Sequence, residues 1–228
     1  EIHDHLSVVY TSKGMFSESY EELQTLSKAQ PDNIQIFIRM ANIAFMMENY
    51  GAMATACEKA ILIDSANATA HYLYAEACKG QGDDVNTIAM ATKAISLDDK
   101  QGNAYLLRGE TYLRTQQLSE AEADADWLLE HTEDNEDVLL LKARIERAAT
   151  RNNEAIEYFT KAIDANPFSY TAFKERSEMY SLVGNEAKAK EDAERAEELM
   201  PTDGKENVEE NIVKQLNDKY KQMNPYGF

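Results

Sequence analysis

The sequence is poor in residues that break or cross-link a chain. Its 228 residues include 9 Gly and 4 Pro. So few punctuating residues leave little room for anything but a nearly all-helical chain. Its two cysteines, Cys57 and Cys78, are too few for a disulfide framework or a metal cluster. Both fall on predicted packing faces of adjacent repeats, so buried free thiols are expected. A disulfide between them stays open, and the redox compartment is not fixed. Positive charge is also scarce, with 23 Lys and Arg against 41 Asp and Glu and a formal charge of −18. Such a chain should repel nucleic acid and anionic membranes, so no nucleic-acid partner is expected. Acidic arrays can attract basic partners, but the same charge also serves solubility.

No run of about 18 apolar residues occurs, so no transmembrane helix or membrane insertion is expected. No signal peptide is visible. The chain starts at Glu1 rather than Met, which leads us to expect a trimmed N-terminus. The compartment is left open, with a slight lean to the cytoplasm. Motifs of chemistry are missing too: there is no GxxxxGK[ST], GxGxxG or HExxH, and no GxSxG elbow. His3 and His5 sit at i and i+2, which do not share a helical face. His71 occupies a packing position. The carboxylates Glu120, Glu122, Asp124 and Asp126 read as a solvated helix face, with no apolar pocket to tune an acid–base pair. The expectation is no catalytic residue, no metal and no cofactor.

What the sequence does have is repetition. Residues 102–135 read as a helix from about Asn103 to Thr115, a turn at Gln116–Leu118, and a helix from about Ser119 to Glu130. The pattern recurs every 34 residues, the mark of a stacked helical array. The units are 1–33, 34–67, 68–101, 102–135, 136–169 and 170–203. Position 8 is small throughout: Ser7, Ala41, Ala75, Gly109, Ala143 and Ser177. Position 20 is Ser19, Met53, Thr87, Ala121, Ala155 and Ala189, with Met53 the departure. Position 27 is Ala60, Ala94, Ala162 and Ala196 in four units, with Leu26 and Leu128 in the others. Position 32 is Pro31, Pro167 and Pro201 in three units, where proline stops a helix. Position 11 is Tyr10, Tyr112 and Tyr180 in three. Beyond Asp203, Val208, Ile212, Leu216 and Tyr220 form one stripe, read as a capping helix within 204–228 that covers the open end of the last unit. The chain starts inside a unit, so further repeats upstream are expected.

This small–aromatic–small–small–Pro signature resembles the tetratricopeptide repeat family over residues 1–203. The best matches are AYLLRGETYLRTQQLSEAEADA (104–125) and NNEAIEYFTKAIDANP (152–167). The resemblance implies an all-α, right-handed α-solenoid of about six tandem helix–turn–helix repeats plus the capping helix. It also implies a concave groove lined by positions 2, 5, 9, 12 and 13 of each first helix. Ile38, Phe45, Met46 and Tyr72 then form an apolar half of the groove, with Asn42 among its groove positions, and exposed apolar patches mark partner sites. Packing of those residues against adjacent helices is the structural alternative. Arg114, Arg144, Arg147 and Lys174 gather in the other half, where guanidinium groups suit carboxylate recognition. Pairing with Glu110, Glu178 and their neighbours is the alternative there. Of the Lys and Asn that chaperone-clamping members use, only Asn42 matches in the first three units, so a true chaperone clamp is not expected. The implied function is a protein–protein interaction scaffold or adaptor that binds a peptide or helix of a partner, without catalysis. The alternative is a regulatory or sensory repeat region cut from a larger enzyme or signalling protein.

Overall fold

The computed structural model describes residues 2–132 and 135–200. Among them are twelve helices and no strand: α1 (Ile2–Ser12), α2 (Phe16–Ala29), α3 (Ile34–Met46), α4 (Tyr50–Ile63), α5 (Ala68–Gly80), α6 (Asp84–Leu97), α7 (Gly102–Arg114), α8 (Leu118–His131), α9 (Glu136–Ala148), α10 (Asn152–Ala165), α11 (Tyr170–Leu182) and α12 (Glu186–Leu199). The fold is an all-α solenoid of helix pairs. Starts at Ile34, Ala68, Gly102, Glu136 and Tyr170 keep the 34-residue frame without slippage. The predicted helices at 103–115 and 119–130 differ from α7 and α8 by one residue at each end. The reason is the turn, in which Gln117 already stands as the N-cap of α8. The capping helix expected within 204–228 lies outside the described residues.

Side-chain caps mark seven of the twelve starts. Asn33, Asn67, Asn135 and Ser169 cap first helices, each side chain accepting a backbone N–H of the first turn. Asn49, Asp83 and Asn185 do the same for second helices. A cap of this kind contributes about 1 kcal/mol. Every hairpin turn then repeats one device. The N–H of the residue before the second helix reaches back to position 11, as in Met15→Tyr10, Asn49→Ala44, Asp83→Cys78, Gln117→Tyr112, Arg151→Glu146 and Asn185→Tyr180. This closure needs a left-handed residue at position 15. Gly14, Gly82 and Gly184 supply it in three units, and Glu48, Gln116 and Thr150 take it at φ 54, 62 and 62° in the others.

The described residues divide within α7 into two compact units, one ending at Leu107 and the other beginning at Arg108. The first has a core that includes Leu23, Ile36, Phe37, Met40, Ile43, Met53 and Leu73. The second has a core that includes Leu139, Leu140, Phe159, Ile163 and Met179. Positions 20 and 27 are buried in all six repeats, which is why they are mostly small. Gly109 shows the reason for a small position 8: a Cβ there would sit 3.0 Å from Leu141 Cδ2 and 3.3 Å from Asp124 Cβ. Cys57 and Cys78 are buried free thiols. Burial pushes the Cys57 thiol up to about 12 and raises that of Cys78.

Candidate peptide-binding face

In the first unit, α3 buries Ile36, Phe37, Met40, Ala41, Ile43 and Ala44. The residues left at least partly open are Ile34, Gln35, Ile38, Arg39, Asn42, Phe45 and Met46. They include the positions assigned to the groove, because a 3.6-residue turn alternates core and surface stripes in this way. Ile38 and Phe45 are half-buried and packed against the core, and the Phe45 ring meets Tyr50 edge-on with centroids 6.4 Å apart. Tyr72 is buried, and its hydroxyl donates to Glu76 Oε1 at 2.9 Å. Amid these apolar side chains, the Asn42 Oδ1 is buried without a hydrogen-bond partner. An unmet buried acceptor costs about 1–3 kcal/mol. The first-helix face of this unit therefore holds an acceptor that no group in the described residues satisfies.

In the second unit, the predicted basic residues are largely engaged. Arg144 grips Glu175 through Nε at 2.9 Å and Nη2 at 2.5 Å. Arg147 Nη1 lies 3.2 Å from Glu175 and 3.5 Å from Glu178. Burial works against the Arg144 charge, but Glu175 outweighs it and holds the guanidinium protonated more firmly than usual. Lys174 is exposed, with its Nζ 5.7 Å from the Tyr170 ring centroid. Arg114 is exposed at the end of α7.

Carboxylates on α8 correct the reading of a solvated face. Asp124 is buried, held by Arg108 through Nε at 2.9 Å and Nη2 at 2.6 Å. Burial raises its pKa, and Arg108 pulls in the opposite direction. Glu122 and Asp126 turn to Lys142 at 3.1 and 2.6 Å. Arg176 and Asp192 repeat the Arg108–Asp124 pair two units further on, with Nε–Oδ2 at 2.7 Å. The signal available was Arg at position 7 with Asp at position 23, present in only two of six units. His71 is buried as expected, its Nε2 bonding to the Ser65 carbonyl at 3.0 Å. Among the described residues, no group of three His, Cys, Asp or Glu is placed to hold a metal ion. No described helix is long and apolar enough to cross a membrane.

Stacked helix pairs of this period, closed by a small-residue seam, define a helical-repeat fold. The family described as tetratricopeptide repeat matches residues 136–169, the fifth unit. No curated relative matches the chain. Solved structures of the same fold include PilW, a widely conserved type IV pilus biogenesis factor, at 18% identity and TM-score 0.79. That match covers 92% of this chain and 97% of PilW. A tetratricopeptide repeat protein from Parabacteroides merdae matches at 19% identity and TM-score 0.76, covering 99% of this chain and 93% of its own. YrrB, a TPR protein with an unusual peptide-binding site, matches at 17% identity and TM-score 0.63, covering 86% and 97%. The chain thus shares its fold with tetratricopeptide-repeat proteins, and its residues 136–169 match that family's repeat.

Proposed function

We propose that this protein is a scaffold that binds an extended peptide or a helix of a partner protein on the first-helix face of residues 34–80. The observation that carries this reading is the unpartnered Asn42 Oδ1 set among Ile38, Phe45 and Met46. Rotation of the half-buried Asn42 side chain would bring that acceptor to a ligand backbone N–H, while ligand apolar side chains would cover the half-buried neighbours. The amide is costly in the free protein and rewarded only in a complex, which is the signature of a group kept for binding. A fold neighbour, YrrB, carries a peptide-binding site, which accords with the reading. Arg144 and Arg147 already hold Glu175 and Glu178, so an acidic ligand there would have to compete with internal carboxylates.

Peptide-display selection on the wild type, counter-screened on Asn42→Leu, tests the proposal. Leucine is close in shape and removes the orphaned acceptor. The free variant should gain about 1 kcal/mol of stability, while selected peptides should lose about tenfold in affinity. Peptides that bind both proteins equally would overturn the assignment.

A further inference from the structure

We propose that the charge network around Lys142 is a latch that sets how α9 sits on α8 and, through α9, where Arg144 and Arg147 stand. Lys142 Nζ lies 2.6 Å from Asp126 and 3.1 Å from Glu122, both on α8, and 3.4 Å from Glu146 one turn along α9. Arg151, the N-cap residue of α10, closes the ring. Its Nη2 is 2.8 Å from Glu122 and its Nε donates to Glu146. Two cations thus hold three carboxylates drawn from two helices. The side chains of Lys142 and Glu146 are each 6% exposed, so the centre of the network lies inside the packing, while Glu122, Asp126 and Arg151 reach its rim.

Comparison between repeats shows that this arrangement is particular to the fifth. Position 7 holds Arg108 in the fourth unit and Arg176 in the sixth, and each pairs with Asp at position 23 of its own repeat. In the fifth unit position 23 is Tyr158, so Lys142 has no carboxylate there. It turns instead to the second helix of the preceding repeat. An intra-repeat brace becomes an inter-repeat one. Apolar burial is non-directional and tolerates sliding of one helix on another. A ring of directional ion pairs admits one register, which is the best-attested role of buried charges. Lys142 and Glu146 face α8, whereas Arg144 and Arg147 on the same helix reach across to α11. Any turn of α9 on α8 must therefore move both arginines against Glu175. The proposal does not depend on peptide binding at Asn42.

Arginine side-chain Nε–H resonances in NMR provide the test. Arg144 Nε donates to Glu175, and Arg176 Nε donates to Asp192 outside the network, making Arg176 an internal control. Lys142→Met, which keeps the stem and removes the charge, should shift the Arg144 signal and speed its exchange with water about tenfold. The Arg176 signal should stay in place. Should Lys142→Met fail to fold, Asp126→Asn removes one contact at a half-exposed site and should shift the same signal in the same sense. An Arg144 signal identical to wild type, or Arg144 and Arg176 moving together, would overturn the latch.

Discussion

Thr150→Gly should stabilise the protein, although it removes a side chain. Thr150 sits at φ 62°, in the left-handed region, because the turn between α9 and α10 needs that conformation at position 15. For an L-residue this costs about 1–2 kcal/mol, and β-branching puts Thr at the upper end. Glycine removes the strain but adds about 0.4–1 kcal/mol of unfolded-state entropy. The Thr150 hydroxyl donates only to the adjacent Ala149 carbonyl at an exposed site, so little is lost with it. The expected gain is about 0.5–1 kcal/mol. The reverse change, Gly82→Thr, puts a β-branched residue at φ 76° and should cost about 1–2 kcal/mol. Arrays lose two-state behaviour readily, so hydrogen exchange of amides in α9 and α10 is the assay, alongside urea unfolding. Slower exchange in Thr150→Gly is the predicted result. Loss of stability in Thr150→Gly, or no change in Gly82→Thr, would refute the reasoning.

Other outcomes can be checked in the same way. Gly109→Leu should cost about 1–3 kcal/mol through overpacking, because Leu141 and Asp124 already crowd the site, and thermal melting reads it directly. Phe159→Ala should cost about 3–5 kcal/mol, since the ring is 0% exposed at the centre of the second core; a chemical-denaturation midpoint checks this. Cys57 should resist iodoacetamide at pH 8 in the folded protein and react in urea. Its folded pKa of about 12 lies above the ordinary 9.0, so its share of stability is present below about 9 and lost as pH rises towards about 12. A pH titration of the melting temperature across that window tests the sign.

The repeat frame was legible in the sequence because period and packing share a cause. Positions 20 and 27 are buried in every repeat and mostly small, so the pattern survives even where Met53 or Thr87 stands in for alanine. The turn itself was less legible. Position 15 is Gly in only three units, and Glu48, Gln116 and Thr150 hide a backbone requirement that side-chain identity does not reveal. At the candidate face, the exposed stripe of α3 follows from helical period. The burial of Tyr72 and the engagement of Arg144 and Arg147 with Glu175 depend on neighbouring helices, which a single-helix pattern does not contain. The charges on α8 show the same limit. Asp124 looks solvated within its own helix and is buried because Arg108 and Gly109 on α7 face it.

The central claim is that a ligand seats on the first helices around Asn42. The most direct measurement is hydrogen-exchange footprinting of the wild type with a peptide from the display selection. Exchange should slow along α3 and α5, centred on Asn42, with α4 and α6 unchanged. Protection confined to α4 and α6, or none on α3, would contradict that claim.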